Sequence, residues 1–103
     1  MREVVLSWCA GFLDGEGNFG WEKSNQGRFR IQAAQVDREV LDKLANTLGG
    51  KVRGPYGPYS GNRKAYYQWM VYCEVAEQAF QDLKPYLCTV KVQQAEEALK
   101  CAS

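Results

Sequence analysis

The chain has 103 residues, with 13 lysines and arginines against 12 aspartates and glutamates. This length predicts one domain, residues 1–103, with a small core. The near-neutral balance gives no overall indication of nucleic-acid binding. The absence of histidine excludes Ser-His and Cys-His nucleophilic sites and histidine general-base catalysis.

The four cysteines are widely and irregularly spaced. None of them belongs to a Cys-x-x-Cys pair, so a structural zinc site is not expected, and we predict reduced thiols. No signal peptide, long apolar run or basic presequence is recognisable. We therefore expect a soluble intracellular protein, without an assigned compartment, that does not bind membranes.

The first predicted element is an apolar helix over residues 3–14, because large apolar residues recur there at helical spacing. Gly15 and Gly17 are expected to end it. Two acidic residues, Asp14 and Glu16, stand at this end, where the negative pole of the helix dipole disfavours them. A divalent cation, or a phosphate bridged by one, would explain the pair. A buried helix with a glycine-rich exit turn would explain the glycines but not the carboxylates.

The next elements are predicted to be a hairpin and a helix. Residues 18–23 and 28–33 alternate between polar and apolar positions, which indicates two half-buried strands joined by a turn. Asp37 is a predicted N-cap for a helix over residues 38–48, which Gly49 and Gly50 close.

The rest of the chain repeats this alternation of strands and helices. The predicted elements are a strand at 51–53, an irregular loop at 54–62, a strand at 64–73, a helix at 75–83 and, after Pro85, a helix that starts at Thr89. The order predicts an α+β fold with α-β-β-α-β-β-α connectivity and a twisted antiparallel sheet of four strands.

Alternation also sorts the strand residues into two faces. The polar face is rich in arginine, which pairs with guanine, and glutamine, which pairs with adenine, at the major-groove edge. Taken alone, this pattern favours an ordinary solvated face of an antiparallel sheet. Beside the acidic pair at the end of the first helix, we predict that this face binds DNA. Its members are Asn18, Glu22, Arg28, Arg30, Gln32, Lys51, Arg53, Lys64, Tyr66 and Gln68.

The segment Cys9-Ala10-Gly11-Phe12-Leu13-Asp14-Gly15-Glu16-Gly17 resembles the signature of the LAGLIDADG homing endonucleases. In that family the signature helix packs against a second copy of itself, and the acidic residue before the last glycine binds the catalytic metal. The resemblance implies that Glu16 binds Mg²⁺ or another divalent cation, since glutamate keeps the charge and the oxygen donors. It also implies a helix–helix interface, for which the predicted residues are Trp8, Gly11, Phe12 and Gly15.

The resemblance implies two further catalytic residues. The family places a solvent-positioning glutamine near the end of the second strand, where this chain has Gln35; a surface glutamine at a strand end is the alternative. The family also carries a lysine after a Pro-aromatic-Leu segment. Lys91 matches that lysine with one extra residue between, and Lys84 and Lys100 remain alternatives.

The predicted function is a sequence-specific, metal-dependent endonuclease that acts as a homodimer on pseudo-palindromic double-stranded DNA, with no small-molecule substrate. One chain supplies one signature helix, and two sites are needed to cut two strands. A non-cleaving DNA-binding protein or an intron maturase with the same fold is the first alternative. A purely structural dimerisation module is the second.

Overall fold

The computed structural model describes residues 2–23, 27–57 and 64–101. The strands and helices are α1 (Arg2–Glu16), β1 (Gly17–Glu22), β2 (Arg28–Gln35), α2 (Arg38–Leu48), β3 (Lys51–Tyr56), β4 (Tyr66–Tyr72), α3 (Cys73–Leu83), a 3₁₀ turn (Lys84–Tyr86) and α4 (Thr89–Lys100). The predicted α+β class and α-β-β-α-β-β-α order are confirmed, with α4 after that core. No helix in these ranges is long and apolar enough to span a membrane.

The four strands form one antiparallel sheet in the order β1-β2-β4-β3. The register aligns Gly17 with Ala33, Ala33 with Trp69, and Trp69 with Val52. Because side chains alternate between faces along a strand, this register puts the apolar residues of all four strands on one side. The polar residues are on the other side, as predicted.

The core lies between the apolar face of the sheet and the helices. Trp69 is fully buried, and its indole Nε1 donates a hydrogen bond of 2.8 Å to the carbonyl of Gly49. Phe19 and Phe29 both meet Phe80 of α3 edge to face, at centroid distances of 6.2 and 6.4 Å. No polar or charged residue in the described ranges is buried. The sheet is therefore fixed to the helices mainly by apolar packing.

The second helix forms as predicted. It spans Arg38–Leu48, and the side chain of Asp37 accepts a hydrogen bond of 2.9 Å from the backbone N–H of Glu39. Gly49 has a φ of 89°, a backbone conformation that favours glycine.

Several predicted boundaries were wrong. The fourth strand ends at Tyr72, and Cys73, predicted as its last residue, begins α3. Gly15 does not end the first helix; α1 continues to Glu16, because pairing of Gly17 with Ala33 sets its end. Lys64 does not lie in the fourth strand, which starts at Tyr66, where pairing with β3 stops. Residues 54–56 were predicted as loop but belong to β3, with a shift in register after Arg53. Residues 58–62 of that predicted loop lie outside the described residues.

Candidate nucleic-acid interface and acidic site

Glu16 lies at the junction between α1 and the sheet. It is the last residue of the helix, and the next residue begins β1 without a connecting loop. Its exposed side chain borders a depression of about 160 Å³ whose other walls are Asn18, Gln32, Ala33, Ala34 and Gln68. None of the described residues donates a hydrogen bond to its carboxylate. The structure therefore brings together one free carboxylate and three amide side chains.

Close packing at Gly17 fixes the position of this junction. A Cβ atom at Gly17 would lie 2.7 Å from Cδ2 of Leu13 and 2.8 Å from its backbone oxygen. Only glycine fits there, because Leu13 is fully buried in the core. The last glycine of the signature thus lets the chain turn directly from helix to strand.

Lys91 of α4 reaches the same junction. Its Nζ donates a hydrogen bond of 2.7 Å to the carbonyl of Gly17, next to Glu16 in the chain. The other two candidate lysines form ion pairs elsewhere, Lys84 with Glu96 at 3.0 Å and Lys100 with Glu97 at 3.4 Å. Of the three candidate lysines, Lys91 is therefore the one that contacts the α1–β1 junction, and its catalytic role stays a prediction.

The two acids of the signature have different surroundings. Asp14 accepts a hydrogen bond of 2.9 Å from the backbone N–H of Cys88, the residue that precedes α4. A carboxylate is favourable at the start of a helix, where backbone N–H groups and the positive end of the dipole lie. Asp14 therefore joins α1 to α4, and Glu16 is the acid left available for a ligand.

Gln35 is not among the residues that line the depression. Its Oε1 accepts a hydrogen bond of 3.0 Å from the backbone N–H of Val36. Its catalytic role stays a prediction. Gln32 and Gln68 occupy the place beside Glu16 instead, because Gln32 pairs with Asn18 and Gln68 pairs with Ala34. Sequence alternation put both glutamines on the polar face, but only the strand register puts them next to Glu16.

The donor atoms at this site suit a hard divalent cation. One carboxylate and nearby amide oxygens are ligands that Mg²⁺ accepts when substrate phosphates and water complete its coordination. In the described ranges no cluster of three or more His, Cys, Asp or Glu side chains occurs. The chain would therefore hold a cation through Glu16, with the remaining ligands coming from outside the chain.

The polar face of the sheet is basic, although the chain is nearly neutral. The four strands carry four arginines and lysines and one acidic residue, whereas the four α-helices carry ten acidic residues and five arginines and lysines. The charge is therefore separated between the two sides of the molecule, which the net charge conceals. Met70 and Tyr72 share this face with Gln68. The sequence prediction omitted them, although continuing the alternation along the fourth strand would have found them.

The residues predicted for the helix–helix interface fall into two groups. Gly11 and Gly15 are exposed, and a Cβ atom at either position would meet nothing within 4 Å. Trp8 and Phe12 are half-buried and stack on each other at a centroid distance of 5.8 Å, with Lys43 Nζ 4.0 Å from the Trp8 ring. The glycines thus leave an open strip on α1, flanked by two rings that already pack within the chain.

The opposite side of α1 faces the core. All four cysteines are free, in agreement with the predicted thiols, and Cys9 is the buried one. Burial raises the pKa of the Cys9 thiol. A protonated, enclosed thiol acts as a small apolar group rather than a nucleophile.

Solved structures of three DNA-bound proteins resemble this chain. The archaeal intron-encoded homing endonuclease I-Vdi141I, complexed with DNA, is 20% identical, with a TM-score of 0.63 over 84% of this chain and 57% of its own. The LAGLIDADG meganuclease I-AabMI, bound to uncleaved DNA, is 22% identical, with a TM-score of 0.70 over 92% and 34%. The LAGLIDADG homing endonuclease I-GzeII, in complex with its DNA target, is 20% identical, with a TM-score of 0.57 over 84% and 31%.

This chain spans between about a third and somewhat over half of the length of those structures. No protein-family model and no curated protein matches it. The likeness thus consists of the architecture together with the signature at the α1–β1 junction. The chain has the fold of the LAGLIDADG homing endonucleases, as its signature predicted.

Proposed function

We propose that this protein is a sequence-specific endonuclease that cuts double-stranded DNA as a homodimer, with Glu16 as the ligand of a divalent cation. The observation that carries the proposal is the free, exposed carboxylate of Glu16 at the edge of a basic sheet face. A carboxylate at the negative end of a helix, without a hydrogen-bond donor in the described chain, is unfavourable unless a cation joins it.

Two observations support DNA as the substrate. The basic residues are concentrated on the open face of the sheet, where they can neutralise phosphates and reach base edges. The three similar structures named above are described as bound to DNA. The depression beside Glu16 opens on the same face, so a scissile phosphate there would meet the carboxylate while the sheet holds the flanking base pairs.

The homodimer is proposed from the open strip on α1. A symmetric pair places the same patch of each chain at the interface, and glycines allow two helices to approach closely. Gly11 and Gly15 lie on the strip, and Glu16 follows at its end. Two chains joined there would bring two Glu16 carboxylates near one axis, one for each strand of the DNA.

A bound cation would supply Lewis-acid polarisation of the phosphate and a more acidic water. Glu16 would hold it, and the amides of Asn18, Gln32 and Gln68 would orient water and phosphate oxygens. Lys91 holds the Gly17 carbonyl and adds positive charge beside the phosphate. Gln35 stays the predicted solvent-positioning residue.

The test compares the native protein with Glu16→Gln, which keeps the shape of the side chain and removes its charge. A target is first selected from random duplexes in Ca²⁺, and cleavage of that target is then measured in Mg²⁺. We expect Glu16→Gln to abolish cleavage and to lose Tb³⁺ luminescence sensitised by the protein, while its metal-free affinity for DNA is kept. Glu77→Gln, which alters an exposed acid on α3, is the control with the same change of charge.

Full cleavage by Glu16→Gln, with contaminating nuclease excluded, would contradict the assignment of Glu16 as the cation ligand. Selective binding without cleavage by the native protein would favour the non-cleaving DNA-binding protein or the maturase. Absence of DNA binding at low salt would favour the structural dimerisation module.

A further inference from the structure

Arg28 is held on the polar face of the sheet by two neighbours. Its Nε donates a hydrogen bond of 3.0 Å to Oε1 of Glu22, and its Nη2 forms an ion pair with the same oxygen at 2.8 Å. On its flat side, the guanidinium carbon lies 3.7 Å from the centre of the Tyr72 ring. Glu22 is directly opposite Arg28 in the β1–β2 pairing, so the backbone itself fixes the first contact.

These contacts use only one edge of the guanidinium. An arginine has five N–H groups, and Glu22 occupies the edge formed by Nε and Nη2. The other edge, formed by Nη1 and the second N–H of Nη2, has no partner in the described chain. Nη1 has no hydrogen-bond partner in the described chain and is not buried, so it is open to solvent. That free edge presents two parallel donors, the arrangement that pairs with O6 and N7 of guanine.

Other basic residues of the face are arranged differently. Lys51 and Arg53 are exposed, and no described residue pairs with either, which suits flexible contacts to phosphates. Arg30 lies farther from Glu22, with Nη1 at 3.5 Å from Oε2, and its Nε is buried without a partner. Among the basic residues that the structure describes on this face, Arg28 is the one that combines a fixed orientation with a complete free edge.

We propose that Glu22 and Tyr72 are positioning residues that hold Arg28 to read one guanine in the major groove of each half-site. This inference rests on the proposed DNA binding, but not on cleavage. An acid on a DNA-binding face weakens attraction to every phosphate. Glu22 offsets that cost by keeping Arg28 off the phosphates and aimed at a base edge.

The test replaces guanine with 7-deazaguanine, which lacks the N7 acceptor, at each position of the selected target. Binding is measured in Ca²⁺. For the native protein we expect about a tenfold loss of affinity at one position in each half-site. In Glu22→Ala the affinity for all duplexes should rise, while the loss at that position falls below about twofold. Glu77→Ala removes the same charge from the helical side and should keep the tenfold loss.

A second pair of variants separates positioning from general stability. Tyr72→Phe keeps the ring under Arg28 and should keep the guanine preference, whereas Tyr72→Leu should lose it. If circular dichroism shows that Glu22→Ala does not fold, the two Tyr72 variants still test whether Arg28 is positioned to read guanine. The inference would be overturned if the native protein, Glu22→Ala and Tyr72→Leu all bound the selected target with the same 7-deazaguanine profile. That result would leave the proposed function intact. If no duplex is bound at low salt, both fail.

Discussion

The glycines of the signature lie in two contrasting environments. A Cβ atom at Gly17 would be 2.7 Å from Leu13, inside the packed junction of α1 and β1. A Cβ atom at Gly11 or Gly15 would meet nothing within 4 Å, since both residues are on the exposed side of the helix. The difference indicates that Gly17 is required by the fold of the chain itself. The other two glycines need a reason outside the single chain.

The helix propensity of glycine also indicates that Gly11 has a role outside the single chain. A glycine inside a helix is about 0.5–1 kcal/mol less favourable than alanine. Gly11 carries that cost without any close packing in the described chain. The inward side of α1, with Leu6, Cys9 and Leu13, contains the contacts that fold the monomer. The proposed symmetric partner supplies the missing reason on the outward side.

Among the substitutions at these glycines, Gly17→Ala should lower the stability of the protein most. The added methyl group would overlap Leu13, including a backbone oxygen that cannot move without distorting the last turn of α1. We expect the free energy of unfolding to fall by about 3 kcal/mol, at the upper end for overpacking. Urea denaturation followed by circular dichroism measures this loss.

Gly20→Ala in the same strand is the matched control. Its methyl group would meet only the ends of the Asn18 and Arg30 side chains, at 3.3 and 3.5 Å. Since those side chains can move, its effect should be clearly smaller. Equal urea midpoints for Gly17→Ala and the native protein would show that the junction does not require glycine.

Gly11→Leu should affect association rather than folding. The leucine would project from the exposed strip into space that is empty within one chain but occupied in the proposed dimer. We expect the dimer dissociation constant to rise at least about tenfold, equivalent to about 1.4 kcal/mol, with an unchanged circular dichroism spectrum. Sedimentation velocity over a range of concentrations measures this.

Gln81→Leu adds the same apolar group to the exposed side of α3 and should leave association unaltered. A native protein that sediments as a stable monomer at micromolar concentration would contradict the dimer and remove the explanation offered for Gly11.

The sequence predicted those parts of the fold whose signals are local. The second helix was placed correctly because Asp37, an apolar face and two glycines mark it within a short segment. Gly15 misled the prediction because a glycine is a local stop signal, whereas the end of α1 is set by pairing of Gly17 with Ala33 in a distant strand.

The site was predictable only in part, for the same reason. Alternation identified the polar face, and the resemblance proposed Glu16 and Lys91 as site residues, which stay predictions. The contact between Lys91 and Gly17 joins residues 74 positions apart, and no spacing rule would reveal it. The depression that brings Gln32 and Gln68 to Glu16 depends on the register of three strands.

Gly11→Ala should give the smallest effect, and its sign should depend on protein concentration. In dilute solution, where monomers dominate, alanine improves helix propensity without meeting any atom, so stability should rise by about 0.5–1 kcal/mol. At high concentration the stability of a dimer includes its association energy. There the methyl group separates the paired helices, and the gain should shrink or reverse. Urea midpoints of native and variant protein, measured at two concentrations a hundredfold apart, test this. A gain of equal size at both concentrations would mean that the exposed strip of α1 is not an interface between copies of this chain.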